Sequence, residues 1–305
     1  MINDHGLYPV YGGNGLRGFT GSYNHDGDYI LIGRQGALCG NVRKVTGKTY
    51  VTEHAIAVCA SKEHETTFLQ HLFQKMRLGQ YSDQSAQPGL AVNKLLRLNI
   101  NVPSKIEQGK IAKILSLIDE RITTQNKIIE KYESLIKGII EKTFVSTQYV
   151  PLQHYSPIIT SGKDKDERGN YPLYGSTGVI GSVSKPSYNK SIVLIARVGS
   201  IGNVQYVTTP CGISDNTLII DAGEENRFIY YYLNGYNFSH IISGTTQPLI
   251  TASSVKKIKI PVIEKHRRKK IVSTLCAIER KLYNERQITY LLSRQKDFLL
   301  SQMFI

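Results

Sequence analysis

The sequence has little cysteine and no tryptophan, with four Cys and no Trp among 305 residues. Cys39, Cys59, Cys211 and Cys276 are scattered, and no two of them form a C-x-x-C pair. This spacing excludes a disulfide framework and offers no zinc-binding pattern, because both need sulfur atoms at organised spacings. We therefore expect a protein of a reducing compartment, the cytoplasm, without a metal site.

Long apolar runs are absent as well. No stretch approaches the roughly 18 apolar residues that a membrane-spanning helix requires. The opening stretch MINDHGLYPV lacks the basic-then-apolar order of a signal peptide. We therefore expect no membrane partner.

The motifs of several enzyme classes are missing. The sequence has no G-x-x-x-x-G-K-[ST] phosphate loop, no G-x-S-x-G elbow and no H-E-x-x-H pair. It also lacks a motif of the Asn-Pro-Pro-Tyr type, which adenine methyltransferases carry. These absences favour a chain that is not an enzyme and binds no cofactor itself.

One glycine pattern could suggest otherwise. Residues 13–18, GNGLRG, match G-x-G-x-x-G, which binds dinucleotides where a strand leads through a glycine turn into a helix. Only YPVY precedes the pattern, and FTGSYNHDGDY after it has no helical period, so this tail is interpreted as loop. We interpret GNGLRG as a structural turn in which Arg17 is a candidate nucleic-acid contact.

Acidic residues are in deficit, since 24 Asp and Glu face 38 Lys and Arg, a net charge of +14. Such an excess favours a polyanionic partner, most often nucleic acid, although a merely basic protein is the alternative. The run KHRRKK at 265–270 could contact phosphate or form a solvated first helical turn. Cations at a helix N-terminus oppose the helix dipole and so favour an anionic partner.

The sequence contains a long internal duplication. YPVYGGNGLRG (8–18) returns as YPLYGSTGVIG (171–181), and ILIGRQGALCGNV (30–42) returns as VLIARVGSIGNV (193–204). The same order continues into two matching helical stretches. A period of about 160 residues is far longer than a solenoid repeat, so one module occurs twice.

Each copy combines short strands with short helices. YILIG and IVLIA are β-branched runs typical of strands, whereas TFLQHLFQKMRL and RFIYYYLNGYNFSHII predict helices. Most of the remainder is rich in Gly, Asn, Ser and Thr, which indicates loops. The expected fold class is α+β, with two mixed α/β domains joined by two long helices that form an antiparallel coiled coil with internal pseudo-twofold symmetry.

A long helix with a heptad seam follows each module. Apolar residues recur in steps of four and three from Ser104 to Phe144 and again from about Glu264 to Met303. Past the middle of the second helix, the pattern is expected to shift by one residue. That shift would place Ile288, Leu291 and Phe298 in the seam. The predicted seam residues are Ile111, Leu115, Ile118, Ile122, Gln125, Ile129, Ile271, Leu275, Ile278, Leu282 and Glu285.

The domain organisation follows from this alternation. We predict domains at 1–103 and 146–262, with spacer helices at 104–145 and 263–305. Antiparallel pairing of the helices would bring the equivalent Gln125 and Glu285 together, where polar seam residues fix the register. A double-stranded DNA partner fits, because dimer-like readers place their modules about one helical turn, roughly 34 Å, apart.

These features resemble the specificity subunits of type I restriction–modification enzymes. The resemblance lies in the duplicated YPxYG module, in the elements IGRQGALCGNV and IARVGSIGNV, and in NVPSKIEQGKIAKILSLIDERI before the long helix. It implies two target-recognition domains that each read half of a split DNA sequence, and a coiled coil that sets the spacer. It also implies docking of two adenine-methylating modification subunits and of motor-nuclease restriction subunits. S-adenosylmethionine, ATP and Mg would be bound by those partners, and the specificity subunit itself would not be catalytic.

The first domain departs from the family pattern. In the second copy about 25 residues separate the helix end from Tyr171, including YVPLQHYSPIITSGK at 149–163, whereas seven residues precede Tyr8 in the first copy. The first domain therefore lacks the counterpart of this opening strand and loop. We expect an unpaired strand edge in residues 1–103.

The duplication also separates candidate DNA contacts into two classes. Positions that differ between copies favour base readout, and identical positions favour scaffold or phosphate contacts. The identical Arg34 and Arg197 could bind phosphate, but we expect them to pair with Glu53 and Asp215. The candidate DNA-binding residues are Asn14, Arg17, Arg34, Gln35, Gln84, Gln87, Lys163, Lys165, Thr177, Arg197, Thr246 and Gln247.

Two other classes of protein remain open from the sequence alone. One is a scaffold whose coiled coil binds proteins, and the other is a DNA-binding factor that acts without a methyltransferase partner. A neighbouring reading frame for an adenine methyltransferase would separate the restriction–modification subunit from the second alternative.

Overall fold

The computed structural model describes residues 5–83, 88–244 and 247–304. The chain divides into two compact units. Unit 1 comprises Met1–Lys127 with Arg286–Ile305, and unit 2 comprises Ile128–Glu285. No helix in the described part of the chain is long and apolar enough to cross a membrane.

The two units contain 17 strands and six α-helices within the described residues. The strands are β1 (Tyr8–Gly12), β2 (Gly15–Thr20), β3 (Tyr29–Gly33), β4 (Val42–Val45), β5 (Tyr50–Val51), β6 (Ala55–Val58), β7 (Tyr149–Pro151), β8 (Ile159–Ser161), β9 (Tyr171–Gly175), β10 (Gly178–Val183), β11 (Ile192–Ala196), β12 (Val204–Val207), β13 (Gly212–Ile213), β14 (Thr217–Ile220), β15 (Ile242–Ser243), β16 (Leu249–Ile250) and β17 (Lys259–Pro261). The helices are α1 (Thr66–Lys75), α2 (Val92–Leu95), α3 (Lys105–Thr143), α4 (Asn226–Asn234), α5 (Ala252–Lys256) and α6 (Lys265–Met303).

Unit 1 is built on two small sheets, with strand orders β2-β1-β5 and β4-β3-β6. β3 is buried from Ile30 to Gly33 because it is the central strand of its sheet. The apolar face of α1, including Phe68 and Leu72, packs in one cluster with Ile30 of β3 and Leu115 of α3. The sheet, α1 and the long helices therefore share one core.

The glycine pattern near the start of the chain lies in a β-hairpin. β1 and β2 pair antiparallel with Gly12 opposite Gly15, so Gly13 and Asn14 form the turn. Gly15 has a φ of 101°, a conformation that favours glycine. No helix follows, so the strand–turn–helix context of a dinucleotide loop is missing. The sequence predicted a loop from Phe19 onward. This prediction is wrong for Phe19 and Thr20, which belong to β2.

Unit 2 repeats this architecture with additional strands. β10-β9-β13 matches β2-β1-β5, and its hairpin has the same register, with Gly175 opposite Gly178. The second sheet has the order β12-β11-β14-β8, and all five residues of β11 are buried. β7 pairs with β17. The segment that contains β7 and β8 is therefore part of the folded unit 2.

Both long helices agree within one residue at each end with the predicted heptad stretches Ser104–Phe144 and Glu264–Met303, and within two residues with the wider spacer bounds 104–145 and 263–305. α3 and α6 contain 39 residues each. The Glu107 amide lies 3.4 Å from Ser104 Oγ, which caps the start of α3 as the sequence predicted. Cap and heptad periodicity are local properties of the sequence, and this is why the bounds of α3 agree.

Within each unit, the segments of α3 and α6 pack together in opposite directions. In unit 1, Lys296 Nζ donates to Asp119 Oδ1 at 2.6 Å, and the earlier residue Ile111 clusters with the later residue Leu300. In unit 2, the end of α3 clusters with the beginning of α6 through Ile140 and Leu275. This order of contacts is that of an antiparallel helix pair.

Burial follows the heptad positions on both helices. Gln125 and Glu285 are half-buried, and their predicted meeting stays a prediction, because they belong to different units. Of the predicted seam residues, Ile111, Leu115, Ile118, Ile271, Leu275 and Leu282 are buried, and Ile122, Gln125, Ile129, Ile278 and Glu285 are half-buried.

The predicted shift of the seam in α6 is wrong. Ile288, Leu291 and Phe298 are 44%, 62% and 62% exposed. The regular heptad continues instead through Thr289 and Lys296, which are half-buried. Thr289 and Lys296 lie in the seam because the helix continues without interruption, so residues at heptad spacing stay on the same face whatever their polarity. The aliphatic stem of Lys296 can pack in the seam while its ammonium group contacts Asp119.

One buried histidine gives unit 1 a predicted pH dependence. His71 on α1 is 1% exposed, and neither ring nitrogen has a hydrogen bond among the described residues. The Asp119 carboxylate lies 3.9 Å from Nδ1 but is bonded to Lys296. Burial, together with the Lys296 charge, lowers the pKa of His71 below its ordinary value.

We expect this neutral histidine to destabilise the protein in acid. The unfolded chain takes up a proton at about pH 6.5 but the folded chain does so only at lower pH, so stability is present above about pH 6.5 and is lost as pH falls through the folded pKa. His71→Leu should flatten the fall in the free energy of unfolding, measured by denaturant titration from pH 7 to pH 5. His266→Gln, which changes an exposed histidine, should follow the wild type. An equal slope in His71→Leu would contradict the prediction.

Candidate DNA interface

Four side chains of unit 1 meet around an open depression. Gly13, Leu16 and Gly36 complete its lining. Asn14 occupies the β1–β2 turn, and Arg17 lies on β2. Gln35 follows the end of β3, and His54 precedes β6. The fold thus brings together Asn14, Arg17 and Gln35, which the sequence analysis selected separately as base-readout candidates.

Backbone contacts fix the loop that carries Gln35. The Arg34 amide donates to His54 O at 2.9 Å, and the Gly36 amide donates to Pro88 O at 3.0 Å. Gln35 Oε1 lies 3.0 Å from His54 Nδ1. Asn14, Arg17 and Gln35 are exposed, and His54 is half-buried with its side chain 42% exposed. Rigid backbone with exposed polar side chains is the arrangement that a recognition surface needs.

Gly12 leaves room for the Arg17 side chain to lie across the hairpin. A Cβ built at Gly12 would lie 2.8 Å from Arg17 Cδ, so the guanidinium stem crosses Gly12. A guanidinium beside amide side chains can read bases, since Arg bonds guanine, and Asn and Gln bond adenine, in the major groove. His54 adds an imidazole that can donate or accept a hydrogen bond.

The sequence analysis missed His54. A signal was present, because the equivalent residue in the second copy is Asn216. The Arg197 amide donates to Asn216 O at 2.9 Å, the same bond that Arg34 makes with His54. His54 is thus another position at which the two copies differ while the backbone is kept.

Unit 2 presents a more apolar surface at the equivalent positions. Thr177 lies in the β9–β10 turn, and Ile180 on β10 is 50% exposed. Val179 is 59% exposed, as is its apolar counterpart Leu16 at 52%, and the half-buried Val198 replaces the exposed Gln35. Exposed methyl groups of this kind can contact the C5-methyl group of thymine. The two units therefore present different chemistry on the same scaffold.

The expected ion pairs of the two matched arginines are wrong. Within the described residues, no salt bridge joins Arg34 to Glu53 or Arg197 to Asp215, and the Glu53 carboxylate lies 3.2 Å from His54 Nε2. Arg34 is exposed, and the buried Nε of Arg197 has no hydrogen-bond partner. The ion-pair expectation failed because matched charges in sequence carry no information on side-chain direction. Phosphate binding by both arginines stays a prediction.

Lys163 and Lys165 flank an anchored aspartate in unit 2. Asp164 Oδ2 accepts a hydrogen bond from the Ile213 amide at 2.7 Å, and Asp164 Oδ1 accepts one from Ser187 Oγ at 2.7 Å. Both lysines are exposed. Backbone hydrogen bonds lower the pKa of the next carboxyl, Asp166, and keep it ionised. The two ammonium groups are thus held on a pinned loop, where they could reach phosphate.

The remaining predicted contacts fall in or near two equivalent loops. Gln247 is exposed and lies between β15 and β16. The Ile250 amide donates to Arg197 O at 3.0 Å, as the Leu90 amide does to Arg34 O at 2.8 Å, so these loops have the same attachment in both units. Gln84, Gln87 and Thr246 lie outside the described residues.

Two cations of the KHRRKK run are used inside unit 2. Arg268 forms a two-pronged contact with Glu225, with Nε and Nη2 at 3.0 Å and 2.7 Å from the carboxylate oxygens. Lys265 Nζ lies 3.5 Å from Glu224. This run therefore offers less free positive charge than its sequence suggests. The described residues contain no group of three or more His, Cys, Asp or Glu side chains that could hold a metal ion.

Comparison with known proteins identifies two family matches in the chain. Residues 2–134 and 154–292 match the model of the type I restriction modification DNA specificity domain. The chain is 48% identical over 124 residues to the type I restriction enzyme EcoprrI specificity subunit of Escherichia coli, covering 41% of this chain and 30% of that protein. It is 24% identical over 322 residues to a protein of Haemophilus influenzae named as the specificity subunit S.HindORF215P, covering 90% and 80%.

Solved structures have the same fold. The crystal structure of a type I restriction-modification system S subunit from M. genitalium covers 100% of this chain and 90% of its own, with a TM-score of 0.76 and 21% identity. A chain from a structural study of the assembly and conformational transition of the type I R-M system has a TM-score of 0.57 at 17% identity, covering 92% and 82%. The two family matches cover most of the sequence, and the chain therefore belongs to the family of type I restriction–modification DNA specificity domains.

Proposed function

We propose that this chain is the non-catalytic DNA-recognition subunit of a type I restriction–modification complex, and that each unit reads one half of a bipartite target. The observation that carries the proposal is the pair of equivalent surfaces. Asn14, Arg17 and Gln35 in unit 1 occupy the places of Thr177, Ile180 and Val198 in unit 2. Two equivalent scaffolds with different exposed side chains are suited to two different half-sequences.

Arg34 and Arg197 support the same function in another way. They are identical in the two copies and make equivalent backbone contacts, and neither guanidinium has a salt bridge to an acidic residue in the described chain. Contacts to phosphate position a protein on DNA without reading its sequence. The two arginines would therefore hold each unit on the backbone beside the bases that it reads.

The exposed stripe on α6 supports a partner-docking role. We name Ile288, Leu291 and Phe298 the α6 stripe, because their spacings of three and seven place them on one side of the helix. They are 44% to 62% exposed although each is apolar. Such a stripe fits a helix of a modification subunit, and the restriction subunits would join the complex as well. S-adenosylmethionine, ATP and Mg would then belong to those partner subunits, and the paired long helices would set the spacer.

Methylation mapping tests the proposed function directly. We expect co-expression with an adenine-methylating modification subunit in a host without this system to produce methylated sites with two specified half-sequences and an unspecified spacer of fixed length. Co-expression of the modification subunit alone is the control and should produce none. A single continuous motif, or no methylation from a complex that does assemble, would refute the bipartite reading.

A further inference from the structure

A charged loop of unit 2 separates its acidic side chains from its basic ones. Residues 163–168 read KDKDER, with three acids and three cations, so the run has no net charge. We name Lys163, Lys165 and Arg168 the loop cations. The loop acids are Asp164, Asp166 and Glu167. Composition alone gives this loop no electrostatic role, but the two signs of charge have different partners in the structure.

Asp164 ties the first half of the loop to the sheet. Its Oδ2 atom accepts a hydrogen bond from the Ile213 amide at 2.7 Å, and its own amide donates to Ile213 O at 2.9 Å. Ser187 Oγ donates to Oδ1 at 2.7 Å. Because Ile213 belongs to β13, this exchange holds the loop against a strand.

Asp166 and Glu167 tie the second half of the loop to the end of β10. Asp166 Oδ1 accepts hydrogen bonds from the Ser182 amide at 3.0 Å and from the Arg168 amide at 3.3 Å. The Glu167 carboxylate accepts hydrogen bonds from the hydroxyl and the amide of Ser184. The bonds from Ser182 and Ser184 lower the pKa of the two carboxyl groups, so both stay ionised at neutral pH. All three loop acids therefore have partners within unit 2.

The loop cations have no such partners. All three are exposed, and no salt bridge or side-chain hydrogen bond joins any of them to another residue in the described part of the chain. Arg168 has a φ of 54°, a conformation that glycine adopts more easily than arginine. An arginine held in an unfavourable backbone conformation favours a role for its side chain. The loop thus presents three free cations on an anchored backbone.

The first half of the loop lies beside Arg197, the proposed phosphate contact of unit 2. The Gly162 amide donates to Thr217 O at 3.1 Å, and the residue before Thr217, Asn216, accepts the Arg197 amide at 2.9 Å. Lys163 therefore follows a residue that is held against the same turn as Arg197. A DNA backbone that contacts Arg197 would pass close to Lys163.

The second half lies at about the width of a groove from the proposed reading turn. Thr177 occupies the β9–β10 turn, and Ser182, to which the loop is bonded, lies further along β10. The strand length between them is roughly 16 Å, and the major groove is about 12 Å wide. A unit that places Thr177 in the groove would bring Arg168 to the sugar–phosphate backbone at its edge.

We propose that the loop cations bind phosphates of the duplex and that the loop acids are positioning residues that hold them in place. Arg168 thereby joins Lys163 and Lys165 as a phosphate contact. The inference rests on the proposed function, because it requires unit 2 to bind DNA. Side chains on a fixed backbone lose less freedom on binding than those on a free loop. Removing a loop acid should therefore weaken DNA binding, although it removes a charge that repels phosphate.

Two substitutions of one acid test this reversal. Asp164→Ala removes the anchor and the charge, whereas Asp164→Asn removes the charge but keeps an oxygen that can accept the Ile213 amide. Near 0.1 M salt, we expect Asp164→Ala to weaken binding of the full chain to its duplex target about eightfold, the effect of one phosphate contact. Asp164→Asn should bind at least as tightly as the wild type. Asp215→Ala removes an exposed carboxylate of the same unit that has no hydrogen bond or salt bridge among the described residues, and it should not weaken binding.

A double-mutant cycle separates positioning from stability. Replacing all three loop cations with alanine should lower the slope of log K against log salt concentration by about three and leave the preferred bases unchanged. In that background, Asp164→Ala should have no further effect on affinity. Denaturant unfolding checks that each variant is folded, and the salt slope of the cation variant decides the case if Asp164→Ala is not.

An unchanged salt slope in the cation variant, or tighter binding by a folded Asp164→Ala, would overturn the proposal. Either result, with methylation of two half-sequences intact, would leave the proposed function standing. A wild-type chain that binds no duplex, alone or with its modification subunit, would refute both.

Discussion

The combined substitution Asn14→Thr, Arg17→Ile and Gln35→Val is expected to change the bases recognised in one half of the DNA target and to leave the other half unchanged. The new residues are those that unit 2 carries at the equivalent positions, so the backbone should accept them. All three native side chains are exposed around the depression of unit 1, and the core is untouched. The variant should therefore fold and assemble normally.

The expected size of the effect follows from the groups removed. A well-formed bidentate contact contributes about 1–3 kcal/mol of discrimination between bases. If Arg17 and one of the amides make such contacts, the native half-site should lose about two to three orders of magnitude in affinity. Binding measured on a set of duplexes with each half-site randomised in turn would give both the loss and the new preference.

The matched control exchanges residues in the opposite direction. Thr177→Asn, Ile180→Arg and Val198→Gln should alter the other half of the target and leave the first half as it was. Arg34→Ala is a second control, because loss of a phosphate contact should weaken binding to all sequences alike and reduce the salt dependence by about one counterion. If both exchanges changed the same half-site, or neither changed any, the depression would not be the reading surface.

Much of the fold was predictable because its signals are local. The strands β3 and β11 are short β-branched runs, and the heptad seam and Ser104 cap give the bounds of α3 within one residue. The duplication supplied the rest, since it implied that each element would occur twice in the same order. The registers of the two glycine hairpins agree with this expectation.

The predictions that failed concern the direction in which individual side chains point, not the positions of helices and strands along the chain. The seam shift in α6 was inferred from hydrophobicity alone, which favours Ile288 and Leu291 over Thr289 and Lys296. An uninterrupted helix keeps residues at heptad spacing on one face, so the polar Lys296 lies in the seam and contacts Asp119. The ion pair between Arg34 and Glu53 failed for a similar reason, because charge matching in sequence does not specify where a side chain points.

The candidate site was only partly readable from the sequence. Asn14, Arg17 and Gln35 could be selected as differing positions, but their convergence on one depression depends on the β1–β2 hairpin folding against the loop after β3. His54 joins them from a third part of the chain, and contacts between distant segments have no local sequence signal. The scaffold was therefore more predictable than the surface it carries.

Replacing the α6 stripe with serine, as Ile288→Ser, Leu291→Ser and Phe298→Ser, is expected to weaken assembly with the modification subunit strongly without unfolding the chain. The three side chains are 44% to 62% exposed, so their loss should leave the free energy of unfolding almost unchanged. If a partner helix buries them, each removal costs about 1.5 kcal/mol or more, and together they should weaken the complex by about three orders of magnitude. Size-exclusion chromatography with light scattering would measure this loss of assembly.

The control for the stripe is an apolar residue on the other long helix that is more exposed than any residue of the stripe. Ile106 of α3 is 77% exposed, and Ile106→Ser makes the same chemical change without touching α6. It should assemble as the wild type does. DNA binding by the stripe variant alone, measured at low salt, should also persist, because the proposed recognition residues lie on the sheets and loops of the two units. A complex that forms normally with the stripe variant would move the docking surface away from α6.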